Sequence, residues 1–311
     1  MNEYDVVVIG GGAAGLSAAL VLTRARRHVA VVDSGAPRNA PAREMHGFLS
    51  RDGLPPAELL RLGREEVAGY GGDIVAGLVT DVRRVEGAAP RFEVRLEDGD
   101  VLRARRILVA SGLRDELPDI PGVSERWGRD LLHCPYCHGY EVRDQPLGVI
   151  GATAEAVQHA QLVRQWSHDV VLFLDAGPIA PDVREALVAR AIGVVDGPVT
   201  RLVVEDDQLT GVELADGRVV RRTAVFVRPR MVPDNRVLTG LGCTVGDNGW
   251  VAADATGRTS VAGVWVAGNV ADPRAQVITA AGEGSAAAIA INADLVDEDV
   301  ATALHDYRRT N

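Results

Sequence analysis

Apolar residues in this chain come in short runs that stop at glycine. Val6-Val7-Val8-Ile9 leads into Gly10-Gly11-Gly12-Ala13-Ala14-Gly15. A continuous β-branched run bounded by glycine predicts a buried strand. The stretch 16–26 then reads as a helix, and a second apolar run over 28–32 ends at Asp33. The pattern returns later in the chain. Pro146-Leu147-Gly148-Val149-Ile150 enters Gly151-Ala152-Thr153-Ala154-Glu155-Ala156, a helical stretch reaches 165, and an apolar run over 170–174 ends at Asp175. Two further strand exits complete the pattern. Ile107-Leu108-Val109 opens into Ala110-Ser111-Gly112, and Val264-Trp265-Val266 into Ala267-Gly268-Asn269. A helix of small residues is predicted over 279–292.

Each glycine of the first loop has a mechanical reason. Gly10 permits a tight turn, Gly12 lets backbone approach a pyrophosphate, and Gly15 lets helix and strand pack closely. The helix beginning around Ala13 and Ala14 would turn its positive end toward the phosphates. Asp33, about 20 residues beyond the loop, can accept hydrogen bonds from a ribose hydroxyl. Strand, loop, helix, second strand and acid in register predict dinucleotide binding. Together the segments predict an α/β protein with two Rossmann-like, three-layer (ββα) nucleotide-binding domains. The second copy departs from the pattern. Thr153 stands where a glycine should admit a pyrophosphate, and no arginine in 175–180 could pair a 2′-phosphate. NADPH is therefore disfavoured, which leaves NADH held through Asp175 or a vestigial site.

Composition narrows the class. The 311 residues are 47% hydrophobic but only 4% aromatic, and the net charge is −10. That balance argues against nucleic acid and anionic membranes as partners. The longest apolar stretch, 286–291, is too short to span a bilayer. The start, Met1-Asn2-Glu3-Tyr4-Asp5, is acidic and unlike an export signal, so a cytoplasmic location is expected.

The three cysteines carry the chemistry. Cys134-Pro135-Tyr136-Cys137-His138 places two thiols where they can close and open a small disulfide loop. The same residues nominally fit a haem attachment site, a zinc site using His133, Cys134, Cys137 and His138, or an inert buried pair. Redox use is preferred, because a dithiol and a nucleotide cofactor in one chain suggest electrons passing between them, and no metal site is expected. Cys243, in Leu241-Gly242-Cys243-Thr244, reads as apolar filler.

With these motifs in order, the whole chain resembles the low-molecular-weight thioredoxin reductases. The resemblance rests on Gly10 to Gly15 with Asp33, on Ala110-Ser111-Gly112, and on the Cys-x-x-Cys before a second nucleotide fold. It also rests on Gly268-Asn269 followed by Gln276-Val277-Ile278-Thr279. Gly35-Ala36-Pro37-Arg38-Asn39, Met45-His46-Gly47-Phe48 and Cys134 to Glu141 look most like the branch of FAD-dependent dithiol oxidases that close disulfides in natural products such as gliotoxin and holomycin. The resemblance implies FAD held by these segments, including Arg38, Asn39, His46, Gln276, Val277 and Ile278. It implies an FAD domain of 1–114 and 246–311, a second domain of 115–245 inserted in it, and a homodimer. It further implies a Cys134–Cys137 disulfide near the flavin. By that analogy a substrate thiolate is expected to attack Cys134, and Cys137 to pass electrons to FAD. His138 is suited to carry protons because an imidazole titrates near neutral pH, with a structural histidine as the alternative. O2 is the expected acceptor if nicotinamide cannot bind.

Three departures matter. His138 replaces the family's acid, Asn269 replaces an aspartate that meets the flavin chain, and the basic NADPH cluster is missing. The leading expectation is oxidation of a small-molecule dithiol. Reduction of a small-molecule or protein disulfide by NAD(P)H is the main alternative, and a redox-sensing flavoprotein the other. Trp127 and Trp250 are open between substrate contact and packing, and 305–309 reads as a solvated helix end.

Overall fold

The computed structural model describes residues 3–87, 91–175 and 177–311; Ala88, Ala89 and Pro90, Met1 and Asn2 of the acidic start, and Ala176 of the 175–180 segment lie outside them. The first apolar run forms the strand Glu3–Ile9, which pairs in parallel with Val29–Asp33 on one side and Val101–Val109 on the other. Asp73–Ala76 extends this sheet beyond Val29–Asp33. The strand Val101–Val109 then serves two partners. Its first half pairs antiparallel with Arg91–Leu96, and its last residues pair in parallel with Val264–Val266. Val79–Val85 closes the far edge of the seven-stranded sheet. Near-continuous burial of Val6, Val7 and Val8 reflects coverage on both faces, as parallel strands require.

The second unit repeats the plan. Its parallel sheet runs Ile192–Asp196, Val170–Leu174, Leu147–Ile150, Ala224–Phe226 and Leu131–Leu132. A three-stranded antiparallel sheet, Val199–Glu205, Gln208–Leu214 and Val219–Arg221, packs over it as the third layer. The expected pair of three-layer Rossmann-like units is thus present. The chain passes between them twice, and the two passages pair with each other as the antiparallel strands Leu113–Glu116 and Arg230–Pro233.

The packing of 234–245 bears on where the chain returns to the first unit. Leu238 and Cys243 are buried in the core of the first unit, against Val79, Val82 and Val251. We propose that the chain re-enters the first unit at Arg230–Pro233. Cys243 is filler there, with Sγ 3.5 Å from Thr259 Oγ1, and burial pushes its thiol pKa up.

The helices also differ in extent from the sequence reading. The first runs Ala13–Arg24 and is ended by Arg26 at φ 65°. The last is far longer than 279–292: it runs Val277–Thr310, 34 residues, and its final turns stand exposed. Its middle is anchored by ions. Arg106, 3% exposed, pairs with Asp294 at 2.6 Å, while Arg91 and Arg105 hold Glu298 at 2.9 and 3.0 Å. Its small residues serve close packing against the first helix. A Cβ on Gly284 would lie 2.0 Å from the Ala14 carbonyl oxygen, whereas one on Gly282 would meet nothing.

Paired substitutions separate these two glycines. Gly284→Ala should cost about 1–3 kcal/mol through overpacking against backbone and lower the Tm by several degrees. Gly282→Ala should gain about 0.5–1 kcal/mol from helix propensity. Thermal melts followed by circular dichroism check both directions.

Candidate functional site

One cavity of about 760 Å3 is lined from both units. The first-unit wall holds Gly10, Gly12, Ala13 and Ala14 with Asp33, the segment of Arg38, Asn39 and His46, the turn Ala110-Ser111-Gly112, and Gly268, Asn269, Gln276 and Val277. The second-unit wall holds Cys134, Cys137 and His138, and Trp127 lines it too. Two expected residues are not brought there. Ile278 lies on the outer side of its helix, 39% exposed. Gly15 lies behind the wall, where a Cβ would sit 1.9 Å from the Gly10 carbonyl oxygen. Trp250 is away from the cavity as well.

The loop geometry fits a dinucleotide. Gly10 has φ +106° and abuts the Ala110 carbonyl, so only glycine fits that turn. Gly12 differs, because a Cβ there would meet no protein atom. The space it leaves open faces the cavity. Gly12 also N-caps the first helix, and no side chain caps it, so the first N–H groups are free for phosphate oxygens. Asp33 ends its strand at the cavity wall, 3.6 Å from Arg64. Arg38 is fixed by a bidentate pair with Asp115 (2.7 and 2.8 Å) and donates to Asn269 Oδ1 at 3.4 Å. Asn269 Nδ2 donates to the Asp272 and Ala275 carbonyls, so only its oxygen, which accepts one long bond from Arg38, has acceptor capacity for a ligand. Burial pushes the Glu283 carboxyl pKa up, although its oxygen accepts from the Gly268 N–H at 2.7 Å.

The second nucleotide loop is closed by its own side chains. Thr153 Oγ1 accepts from Ala156 N at 3.2 Å, capping Ala154–Val163 from within. Asp175 Oδ1 accepts from Val199 N at 2.7 Å and is spent on joining two strands. One helix-end N–H and one oxygen of the strand-end acid, groups that a dinucleotide would use, are thus already engaged.

The dithiol motif forms a single helical turn, Pro135–His138, with Cys134 at its N-cap and Pro135 presetting the first φ. Cys137 N donates to the Cys134 carbonyl, and the sulfurs are joined as a disulfide with the Cα atoms 5.2 Å apart. Gly139 lets the turn rest on Trp166, whose ring a Cβ would meet at 2.9 Å. His138 is half-buried. Burial lowers its pKa, Glu141 opposes that shift and His46 adds to it, so the imidazole is neutral at neutral pH and able to accept a proton. His46 makes no such claim on a flavin alone: its Nδ1 lies 3.2 Å from Asp52 and its Nε2 3.5 Å from Glu141. His133 donates from Nδ1 to the Val227 carbonyl at 3.1 Å, which leaves Nε2 as acceptor.

Sequence reading did not find Asp115, Glu141 as the partner of His46, His159 or Arg228. Nothing in Arg114-Asp115-Glu116 distinguishes the acid that holds Arg38. His159 sits mid-helix with no motif, and Arg228 follows a strand as many surface arginines do.

Comparisons with known proteins agree with this geometry. The family model described as pyridine nucleotide-disulphide oxidoreductase matches residues 4–284. A protein of Arthroderma benhamiae named "probable thioredoxin reductase" is 33% identical over 178 residues, a match covering 56% of this chain and 44% of that protein. Thioredoxin reductase sirT of Leptosphaeria maculans is 30% identical over 314 residues, 96% of each chain. The crystal structure of HlmI superposes with a TM-score of 0.96 at 62% identity, covering 98% of this chain and 96% of that one. The chain belongs to the pyridine nucleotide-disulphide oxidoreductase family, as an FAD-dependent, thioredoxin reductase-like disulfide oxidoreductase.

Proposed function

We propose that this enzyme is a dithiol oxidase: it closes a disulfide in a small-molecule dithiol and delivers the electrons to O2. One observation carries the direction. The second nucleotide loop is capped by Thr153, and its acid, Asp175, is bound to Val199, so electrons are supplied by thiols rather than by a nicotinamide. The cradle of Gly10, Gly12, Asp33, Arg38 and Asn269 would hold FAD. Bound FAD supplies a two-electron acceptor that O2 can reoxidise, with hydrogen peroxide as product.

The remaining steps belong to the protein's own side chains. A substrate thiolate attacks Cys134 Sγ, forming a mixed disulfide and expelling the Cys137 thiolate. The second substrate thiolate attacks the substrate sulfur of that bond, the cyclic disulfide leaves, and Cys134 departs as thiolate. Substrate is oxidised by two electrons and the Cys134–Cys137 disulfide reduced by two. Neutral His138 accepts a proton from an incoming thiol, and Glu141 steadies the imidazolium that results.

The alternative is the activity for which the relatives are named, with NAD(P)H reducing a disulfide. Anaerobic mixing at the flavin band separates the two readings. A dithiol alone is expected to bleach the flavin, and air to restore it with peroxide released. Rapid bleaching by NADH or NADPH would overturn the proposal. Cys137→Ser should keep the yellow FAD and lose dithiol turnover.

His138→Ala should lower turnover by about a hundredfold and reshape its pH profile. The wild-type acidic limb should lie below pH 6.5, because the folded-state pKa is depressed from that value, and activity falls as pH drops through it. The variant should lack that limb; an unchanged profile would assign His138 a structural role.

We also propose that two copies pair through the end of Val277–Thr310. Val296, Val300, Leu304 and Tyr307 are 45%, 53%, 47% and 66% exposed and fall on one helical face. Sedimentation should give a dimer for the wild type and a monomer for the double substitution Val300→Glu, Leu304→Glu.

A further inference from the structure

The cavity wall carries a third group of side chains that thiol exchange does not use: His133, His159 and Arg228. They are tied to one another by the fold. Val227 accepts the His133 Nδ1 hydrogen bond, and the next residue along the chain is Arg228. The His133 and His159 rings meet edge to face at 6.0 Å, and His159 is backed by Phe226 at 5.8 Å. His133 directly precedes Cys134, so the cluster begins one residue from the disulfide.

Arg228 stands in this patch without an ion pair. Of the other arginines of the cavity wall, Arg38 pairs with Asp115 and Arg236 with Asp234, while Arg274, on the first-unit wall, is exposed. Arg228 is exposed and has no hydrogen bond or ion pair among the described residues. His159 is 4% exposed, and its Nδ1 has no partner among the described residues. Burial pushes the His159 pKa down to about 4, with His133 and Arg228 adding to the shift. Burial also lowers that of His133. Both rings are therefore neutral near pH 7 and contribute hydrogen-bonding atoms without charge. The patch holds one positive charge, that of Arg228. Its field reaches Glu155 on the adjoining helix, whose carboxylate opposes a doubly charged phosphate more strongly than a singly charged carboxylate.

We propose that Arg228, His133 and His159 form a carboxylate-binding subsite beside the Cys134–Cys137 disulfide, which selects dithiols carrying a carboxylate. The substrate class rests on the dithiol reading given above. The subsite itself rests on the side chains alone. A carboxylate matches the planar guanidinium fork of Arg228. A bound carboxylate would also give Arg228 an ion-pair partner.

Lipoate and lipoamide test this directly, because both are cyclic disulfides and they differ in one group, a carboxylate against an amide. Binding to the oxidised, FAD-loaded enzyme is measured by titration calorimetry. Lipoate should bind at least about tenfold more tightly than lipoamide, the scale of one charged hydrogen bond. Arg228→Met should abolish that preference and leave lipoamide binding and flavin content unchanged. His159→Phe, which keeps the packing against Phe226, should weaken the preference. Equal affinities in the wild type, or a full preference retained in Arg228→Met, would overturn the subsite. Displacement of lipoate by ADP-ribose would reassign the patch to nucleotide binding and overturn it too. Turnover of dihydrolipoate and dihydrolipoamide is read separately. If neither is oxidised while lipoate is still preferred, the dithiol oxidase reading falls and the subsite stands.

Discussion

Two backbone-on-backbone contacts set the position of everything else in the site. The first helix is pressed against its strand where Gly15 meets the Gly10 carbonyl, and against the last helix where Gly284 meets the Ala14 carbonyl. At each point a single methyl group would land inside van der Waals contact with a peptide oxygen. The apolar sheet around them is more forgiving of shape, because Val and Ile exchange in a core at modest cost. These two approaches hold the helix N-terminus open at the cavity, with Gly12 leaving the space in front of it clear. The ion cluster of Arg106, Asp294 and Glu298 then clamps the last helix to the sheet, so the Gly284 contact cannot relax by sliding.

Both units of the chain start from the same strand–loop–helix plan, and they differ in where the helix-end donors go. A helix leaves its first N–H groups without partners. In the first unit no side chain takes them, and in the second Thr153 does. The acids diverge in the same way. Asp33 stands at the cavity wall, while Asp175 is hydrogen-bonded into the start of Val199–Glu205. A dinucleotide at the second loop would have to compete with hydrogen bonds the protein has already made. Those internal hydrogen bonds order the second unit, which carries the disulfide, without any help from a ligand.

The first cradle was legible because each of its residues has a local reason. Gly10, Gly12, Gly15 and Asp33 are constrained by a turn, an approach, a packing contact and a strand end within one short segment. Thr153 was legible for the same reason, as a branched residue where glycine belongs. What could not be read depends on distant parts of the chain meeting. Arg38 is oriented by Asp115, His46 meets Glu141 across the two units, and His133 gains its tautomer from the Val227 carbonyl. The length of the last helix was hidden differently. Beyond Leu295 its residues cover no core, so the small-residue pattern that marks the buried part ends while the helix continues. Leu238 and Cys243 pack in the core of the first unit, which apolar residues in a crossover do not declare in sequence.

The electrostatics of the cavity follow from local contacts and not from the charge of the whole. A chain with a net charge of −10 repels anions at long range, but that repulsion is screened within about 8 Å at physiological ionic strength. Inside the cavity the balance is set by which side chains are paired. Arg38 is neutralised by Asp115, a necessary condition for it to orient a ligand without attracting stray anions to the flavin cradle. Burial keeps His138, His133 and His159 neutral, so the disulfide has proton acceptors near it and little fixed positive charge. A fully cationic surround would stabilise the thiolates as leaving groups and would hold them too tightly to pass their electrons onward. Neutral imidazoles with the Arg228 guanidinium at the edge avoid that outcome: proton acceptors stand where sulfur must react, and the positive charge stands apart from them.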